Sequence, residues 1–94
     1  MAWVVVRHKV KDYAKWRPYF DRHVTKVKQF GGRQGLVLHT EGDPNEVWVC
    51  IECDNLDRMR EFTQSDDLRN AMAESGVVDT PDVHYLKELP KAPL

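Results

Sequence analysis

Apolar and polar positions along the chain switch between a period near two and a period near 3.6, and the switches mark out its elements. Trp3 to Val10 is β-branched and aromatic with little alternation at its start, the pattern of a strand buried on both faces. Asp12 then fits a helix N-cap, and Tyr13, Trp16, Phe20, Val24, Val27 and Phe30 recur at helical spacing. Gly31 and Gly32 supply the left-handed conformations on which that helix ends. Pro18 interrupts the pattern, because inside a helix it removes a hydrogen bond and crowds the preceding turn. Either Asp12 to Arg17 forms a separate turn and Pro18 opens the main helix, or the helix kinks there. Leu36 to Glu41 and Val47 to Cys53 read as the second and third strands. Gly42, Asp43, Pro44 and Asn45 between them have the turn chemistry of a hairpin. Leu56 to Gln64 reads as a short helix beginning near Asp54 or Asn55, and Ser65 or Asp66 caps another over about Asp67 to Ser75. Met59, Phe62, Leu68 and Met72 form the buried face of that segment and Gly76 stops it. Pro81 leads into a fourth strand, Val83 to Leu89, and Pro90 to Leu94 form a loose arm.

The resulting order, β-α-β-β-α-β with the second helical segment split in two, is the α+β ferredoxin-like arrangement. Its crossovers are expected to set strands one and three parallel at the centre of an otherwise antiparallel four-stranded sheet, with the helices on one face. The strands carry apolar residues at both parities, so the other face also needs cover. A second copy of the chain, sheet against sheet, closes such a structure into a homodimeric α/β barrel.

Composition narrows the picture. A chain of 94 residues is expected to form one domain over 1–94, with a core at about 3–89 and a C-terminal arm at 90–94. A domain this short buries a modest share of its surface, which adds to the case for a partner subunit. Its 14 basic and 15 acidic residues are dispersed to a net charge of −1, without the like-charge block that grips nucleic acid or an anionic membrane. Met1 to Val6 is apolar for too few residues to form a signal-peptide core or a membrane span. Two cysteines without an export signal fit reduced thiols and a cytoplasmic setting.

The stretch Asp12-Tyr13-x-x-Trp16-x-x-x-Phe20, then Asp43-Pro44-Asn45, Ser65 with Leu68 and Arg69, Gly76-Val77, and Pro81-x-Val83-x-Tyr85 resembles the dimeric α/β barrel superfamily. Within it, the likeness is to the small antibiotic-biosynthesis-monooxygenase-like and cyclase-like proteins, and it covers roughly residues 3 to 89. The resemblance implies a homodimer, a pocket between sheet and helices, and cofactor-independent oxygenation or isomerisation of a small aromatic or polyketide-like molecule. Haem-degrading members use a strand-one asparagine, a strand-three tryptophan and a histidine in the second helical segment. This chain has His8 and Trp48 at the first two and no histidine between Leu56 and Ser75, so that chemistry is not expected.

Among single residues, His8 on the first strand suits a general acid/base near neutral pH; its alternative is a hydrogen-bonded core or rim histidine. Glu52, late on the third strand, orients His8 only if both point the same way, and otherwise is a surface or interface carboxylate. Trp48 shares parity with Cys50 and Glu52, opposite to the aliphatic set Val47, Val49, Ile51 and Cys53. That parity favours the dimer interface for Trp48 over the pocket. Trp16 and Phe20, with Tyr13, form an aromatic stripe that serves either as core or as the wall of an aromatic pocket; Phe62 and Met72 add to the same wall. The Tyr13 and Tyr85 hydroxyls are candidate polar contacts that orient a substrate oxygen. His23, His39 and His84 lie on three different elements without metal-ligand spacing. Cys50 and Cys53 are three apart on a strand, so their thiols diverge and neither bridge nor share a metal. The third strand lacks the Gly- and aromatic-rich motif of RNA-recognition domains, which have the same topology. The reading calls for no cofactor, no metal, no nucleic acid and no membrane. Its partners are a small molecule and the chain itself, and its alternative is a non-catalytic metabolite-binding or accessory homodimer.

Overall fold

The computed structural model describes residues Met1–Leu94. Seven elements follow in order: β1 (Ala2–Lys9), α1 (Tyr13–Gln29), β2 (Gly32–Thr40), β3 (Asp43–Cys53), α2 (Leu56–Thr63), α3 (Asp66–Ser75) and β4 (Asp82–Lys87). The four strands form one sheet in the order β2-β3-β1-β4. Every neighbouring pair is antiparallel, including β1 with β3. This corrects the expected parallel centre. In a split β-α-β unit the strands that run the same way are β1 and β2. The one inserted between them enters from a hairpin and so runs against both.

Side chains alternate across the sheet. Ala2, Val4, Val6 and His8 of β1 and Val47, Val49, Ile51 and Cys53 of β3 are buried under the helices. Trp16, Met59 and Phe62 close on them from α1 and α2. The intervening residues point to a face that no helix covers.

The hairpin is longer than its apolar pattern indicates. β2 begins at Gly32 rather than Leu36, and β3 begins at Asp43, which leaves Glu41 and Gly42 as the turn. Backbone pairing continues through polar residues because β3 supplies partners for them. Arg33 is skipped in that pairing: Gly32 faces Cys53 and Gln34 faces Glu52, a β-bulge. Gly32 is there for space. A Cβ on it would lie 2.6 Å from Val27 Cγ1, where the end of α1 crosses the strand.

α1 is continuous, with Pro18 inside it. The Asp12 carboxylate accepts from Ala14 N at 2.9 Å, and Asn45 Oδ1 accepts from Tyr13 N at 3.0 Å. Asn45 O also accepts from Val10 N at 2.9 Å. One asparagine of β3 therefore fixes both the end of β1 and the first turn of α1. Lys26 and Lys28 in the last turn complement the helix dipole.

Ser65 caps α3 through Leu68 N, and Gly76 ends it at φ +93°, a conformation that glycine adopts without strain. Beyond it, Val78 N donates to Lys9 O and Lys11 N to Gly76 O. The exit of α3 is thereby tied to the end of β1. β4 stops at Lys87, two residues earlier than Leu89, and no helix is long and apolar enough to cross a membrane.

Candidate ligand-binding site

A cavity lies between the helix-facing side of the sheet and α1, α2 and α3. Its space is about 620 Å³ with the open mouth included. The floor is Val4, Val6, His8, Val49 and Ile51. The wall from α1 is Trp16, Tyr19, Phe20, His23 and Val27, and the roof is Phe62, Thr63, Leu68, Ala71, Met72 and Ser75. No carboxylate, ammonium or guanidinium lines it. The helices dictate this: the α1 residues at 16, 20, 23 and 27 follow spacings of four, three and four, which keeps one helical stripe turned to the sheet.

His8 is the polar centre of the floor. It is only 2% exposed, and its Nδ1 has no hydrogen-bond partner. Its ring stands edge-on to Trp16 at a centroid distance of 5.5 Å. Burial disfavours the imidazolium and pushes the His8 pKa below its ordinary value. The ring is therefore neutral at pH 7. A buried nitrogen without a partner is costly, and such atoms are rare enough in folded proteins to call for an explanation.

Trp16 stacks on Phe20 at 5.1 Å, so the aromatic stripe expected from the sequence forms one cavity wall. Phe62 and Met72 sit in the roof. Tyr13 lies outside: it tilts against Trp16 at 5.9 Å, and its hydroxyl accepts from Arg17 Nη1 at 2.8 Å. Tyr85 packs against the core from β4, and its hydroxyl pairs with Thr63 Oγ1 at 2.6 Å. It reaches the cavity only through that threonine.

Trp48 and Glu52 are on the other side of the sheet. Trp48 Nε1 donates to Thr40 Oγ1 at 3.0 Å, and Glu52 accepts from Gln34 Nε2 at 3.2 Å. Glu52 is also at the wrong end to orient His8. Antiparallel pairing sets Trp3 opposite Glu52 and His8 opposite Val47. The Glu–His pair considered from the sequence rested on a parallel β1–β3 and does not form.

Cys50 is half-buried on the uncovered face and Cys53 buried under the helices. Burial raises both thiol pKa values, so neither is poised as a thiolate. No cluster of metal-ligating side chains is present.

The cavity also contains residues that the sequence reading did not place there, among them Tyr19, His23, Thr63 and Ser75. His23 had a signal. It falls on the stripe of Trp16, Phe20 and Val27 as a polar residue among apolar ones. In the sequence Val24 competes for that place, because hydrophobicity alone ranks it higher.

No family model matches the chain, and no curated protein matches it. Solved structures do. SnoaB, a cofactor-independent oxygenase from Streptomyces nogalater, superposes with a TM-score of 0.71 at 15% identity, over 99% of this chain and 97% of that one. An antibiotic biosynthesis monooxygenase gives 0.71 at 14% identity, over 96% and 100%. Rv0793 from Mycobacterium tuberculosis gives 0.69 at 17% identity, over 97% of both. The chain has the fold of the antibiotic biosynthesis monooxygenase-like proteins along its whole length.

Proposed function

We propose that the cavity binds a small, largely apolar molecule and that His8 is the group that acts on it. The observation that carries this reading is the buried, unpartnered Nδ1 of a neutral imidazole in a cavity lined mostly by apolar side chains. A ligand that donates or accepts one hydrogen bond there removes the cost of leaving that nitrogen bare. As a neutral base, His8 takes a proton from an acidic hydroxyl or activated C–H of the ligand. The anion left behind is either reprotonated at another atom, which is isomerisation, or oxidised by dioxygen, which is cofactor-independent oxygenation. The fold shared with SnoaB supports the second outcome, and the aromatic wall of Trp16 and Phe20 suits an aromatic or polyketide-like substrate. Thr63, whose hydroxyl donates to Arg60 O and pairs with Tyr85, keeps a lone pair that accepts from a substrate hydroxyl. No cofactor is required by this chemistry.

The test is oxygen uptake and product formation across a panel of small hydroxylated aromatics, wild type against His8→Ala. The expected loss is about 10²–10⁴-fold. Turnover within a few-fold of wild type would remove His8 from the mechanism.

A second reading is a non-catalytic metabolite-binding or accessory protein. What favours it is that no carboxylate or other fixed partner orients the His8 ring. Panel members that bind but never turn over would establish it.

The uncovered face supports a homodimer. Leu36 and Leu38 are 55% and 51% exposed there, beside Trp3, Val5, Trp48, Cys50 and Leu86. Charged groups rim this apolar centre, with Arg7 paired to Glu46, Asp79 and Asp82 at one end. An apolar middle with a polar rim is the anatomy of a protein interface. Light scattering across dilution should give twice the chain mass, and a stable monomer would sink the barrel. Two free thiols fit a cytoplasmic setting.

A further inference from the structure

The cavity has a second histidine, two helical turns along α1 from Trp16. His23 is half-buried on α1 and lines the same space as His8. Its Nδ1 lies 2.8 Å from Tyr19 O. A carbonyl oxygen only accepts, so Nδ1 carries the proton. In the neutral ring that leaves Nε2 as a free acceptor. The helix thus fixes the tautomer of His23 before any ligand arrives.

The two rings are separated along the cavity. His8 meets α1 at Trp16, and His23 is seven residues further along, about 10 Å at 1.5 Å per residue. Between them the wall is Phe20 and the roof includes Phe62, Leu68 and Met72. The wall between the two imidazoles is therefore apolar, with one nitrogen base on either side of Phe20. Met72 is the roof side chain best able to yield to a flat body.

We propose that His23 is a second polar anchor, so that the site takes an elongated apolar molecule of about two fused rings with hydrogen-bond donors at both ends, one at His8 and one at His23 Nε2. This rests on the reading of the cavity as a ligand site and adds to it a residue and a ligand shape. The donor at the His23 end is held, not reacted, because that ring is fixed by its own helix. Ligands with a methyl or hydrogen in place of the second hydroxyl still enter but lose that contact.

The experiment is calorimetric or fluorescence titration of the whole chain with naphthalene, 2-naphthol and 2,6-dihydroxynaphthalene. Wild type, His8→Ala, His23→Leu and the double variant are compared after circular dichroism has shown each to be folded. In wild type each hydroxyl should tighten binding by about threefold to tenfold, the range of a net hydrogen bond. His23→Leu should bind the diol no better than 2-naphthol, with 2-naphthol itself within about twofold of wild type, since His8 still serves one hydroxyl. The double variant should not distinguish the three probes, and His23→Gln, which keeps an acceptor, should restore part of the diol's advantage. If the diol keeps its full advantage in His23→Leu, or has none in wild type while 2-naphthol binding depends on His8, the second anchor is overturned and the cavity reading stands. If no probe binds, or binding ignores both histidines, the cavity reading falls as well.

Discussion

On the helix side of the sheet, Val4, Val47 and Cys53 have no exposed surface and pack with Trp16, Met59 and Phe62 of the helices in one core. On the other side, strands of nearly the same composition present Trp3, Val5, Leu36, Leu38, Trp48 and Leu86 to open space. Both faces are apolar at their centre, so hydrophobicity does not separate them. What separates them is polar chemistry. The covered face holds one imidazole without a partner. The open face surrounds its apolar centre with satisfied polar groups: Arg7 with three acidic partners, Glu52 with Gln34, and Trp3 Nε1 with Glu88 at 2.6 Å. Satisfied polar groups at the rim fit the proposed docking face, and the unsatisfied one in the interior fits the proposed ligand site.

The sharpest way to break this comparison is to place one charge on each face at adjacent positions. Val4→Asp puts a carboxylate in the covered core, where an unpaired charge costs several kcal/mol, comparable to the total stability of a small domain. Its circular dichroism should show no cooperative melt at 25 °C and above. Val5→Asp should keep the fold. Equal damage from both would mean that the second face is as buried as the first.

Next in size is the double change Leu36→Glu with Leu38→Glu. Burying each leucine stabilises an interface by about 1.5–3 kcal/mol, so losing both should dissociate the proposed dimer while each subunit stays folded. Sedimentation velocity reads the outcome, and an unchanged dimer would move the interface off this face.

The covered face has its own, smaller signature in pH. The His8 pKa is lowered by burial from its ordinary value of 6.5. As pH falls below 6.5, the unfolded chain takes up a proton that the folded chain resists. Stability is therefore fully present above 6.5 and declines as pH drops, by at most about 1.4 kcal/mol per pH unit. His8→Gln should flatten the dependence of Tm on pH between 6.5 and 5, and an unaltered slope would assign it to another group.

The smallest effect belongs to the helix surface remote from both faces. Asp21→Ala removes the exposed pair with Arg17 at 2.9 Å and should change stability by less than about 1 kcal/mol. A larger loss would show that α1 depends on its outer surface as well as its buried stripe.

Most of this architecture was legible in the sequence. Parity along β3 separated Val47, Val49, Ile51 and Cys53 from Trp48, Cys50 and Glu52, because side chains alternate whatever the strand's direction. The direction was misjudged, and with it the distance from Glu52 to His8, although the element order held it: a hairpin partner of β2 must run against β1. Trp16, Phe20, Phe62 and Met72 line the cavity, and their pattern was visible because cavity wall and core share it. His23 was not, because a polar residue on an apolar stripe looks like a break in the pattern until the sheet beneath it is in place. Tyr13 was expected at the ligand, but Arg17 one turn on offers its hydroxyl a nearer partner.

The bulge at Arg33 bears on how this chain can gain and lose residues. Gly32 and Gln34 already face the consecutive residues Cys53 and Glu52. A single-codon deletion of Arg33 would therefore restore regular pairing and leave Leu36 and Leu38 on the open face, at the cost of the exposed pair with Asp54. The same deletion at Leu36 would turn one flank of β2 over and exchange its interior for its exterior. Arg33 marks the place on this edge strand where length can drift between descendants while both faces of the sheet keep their identities.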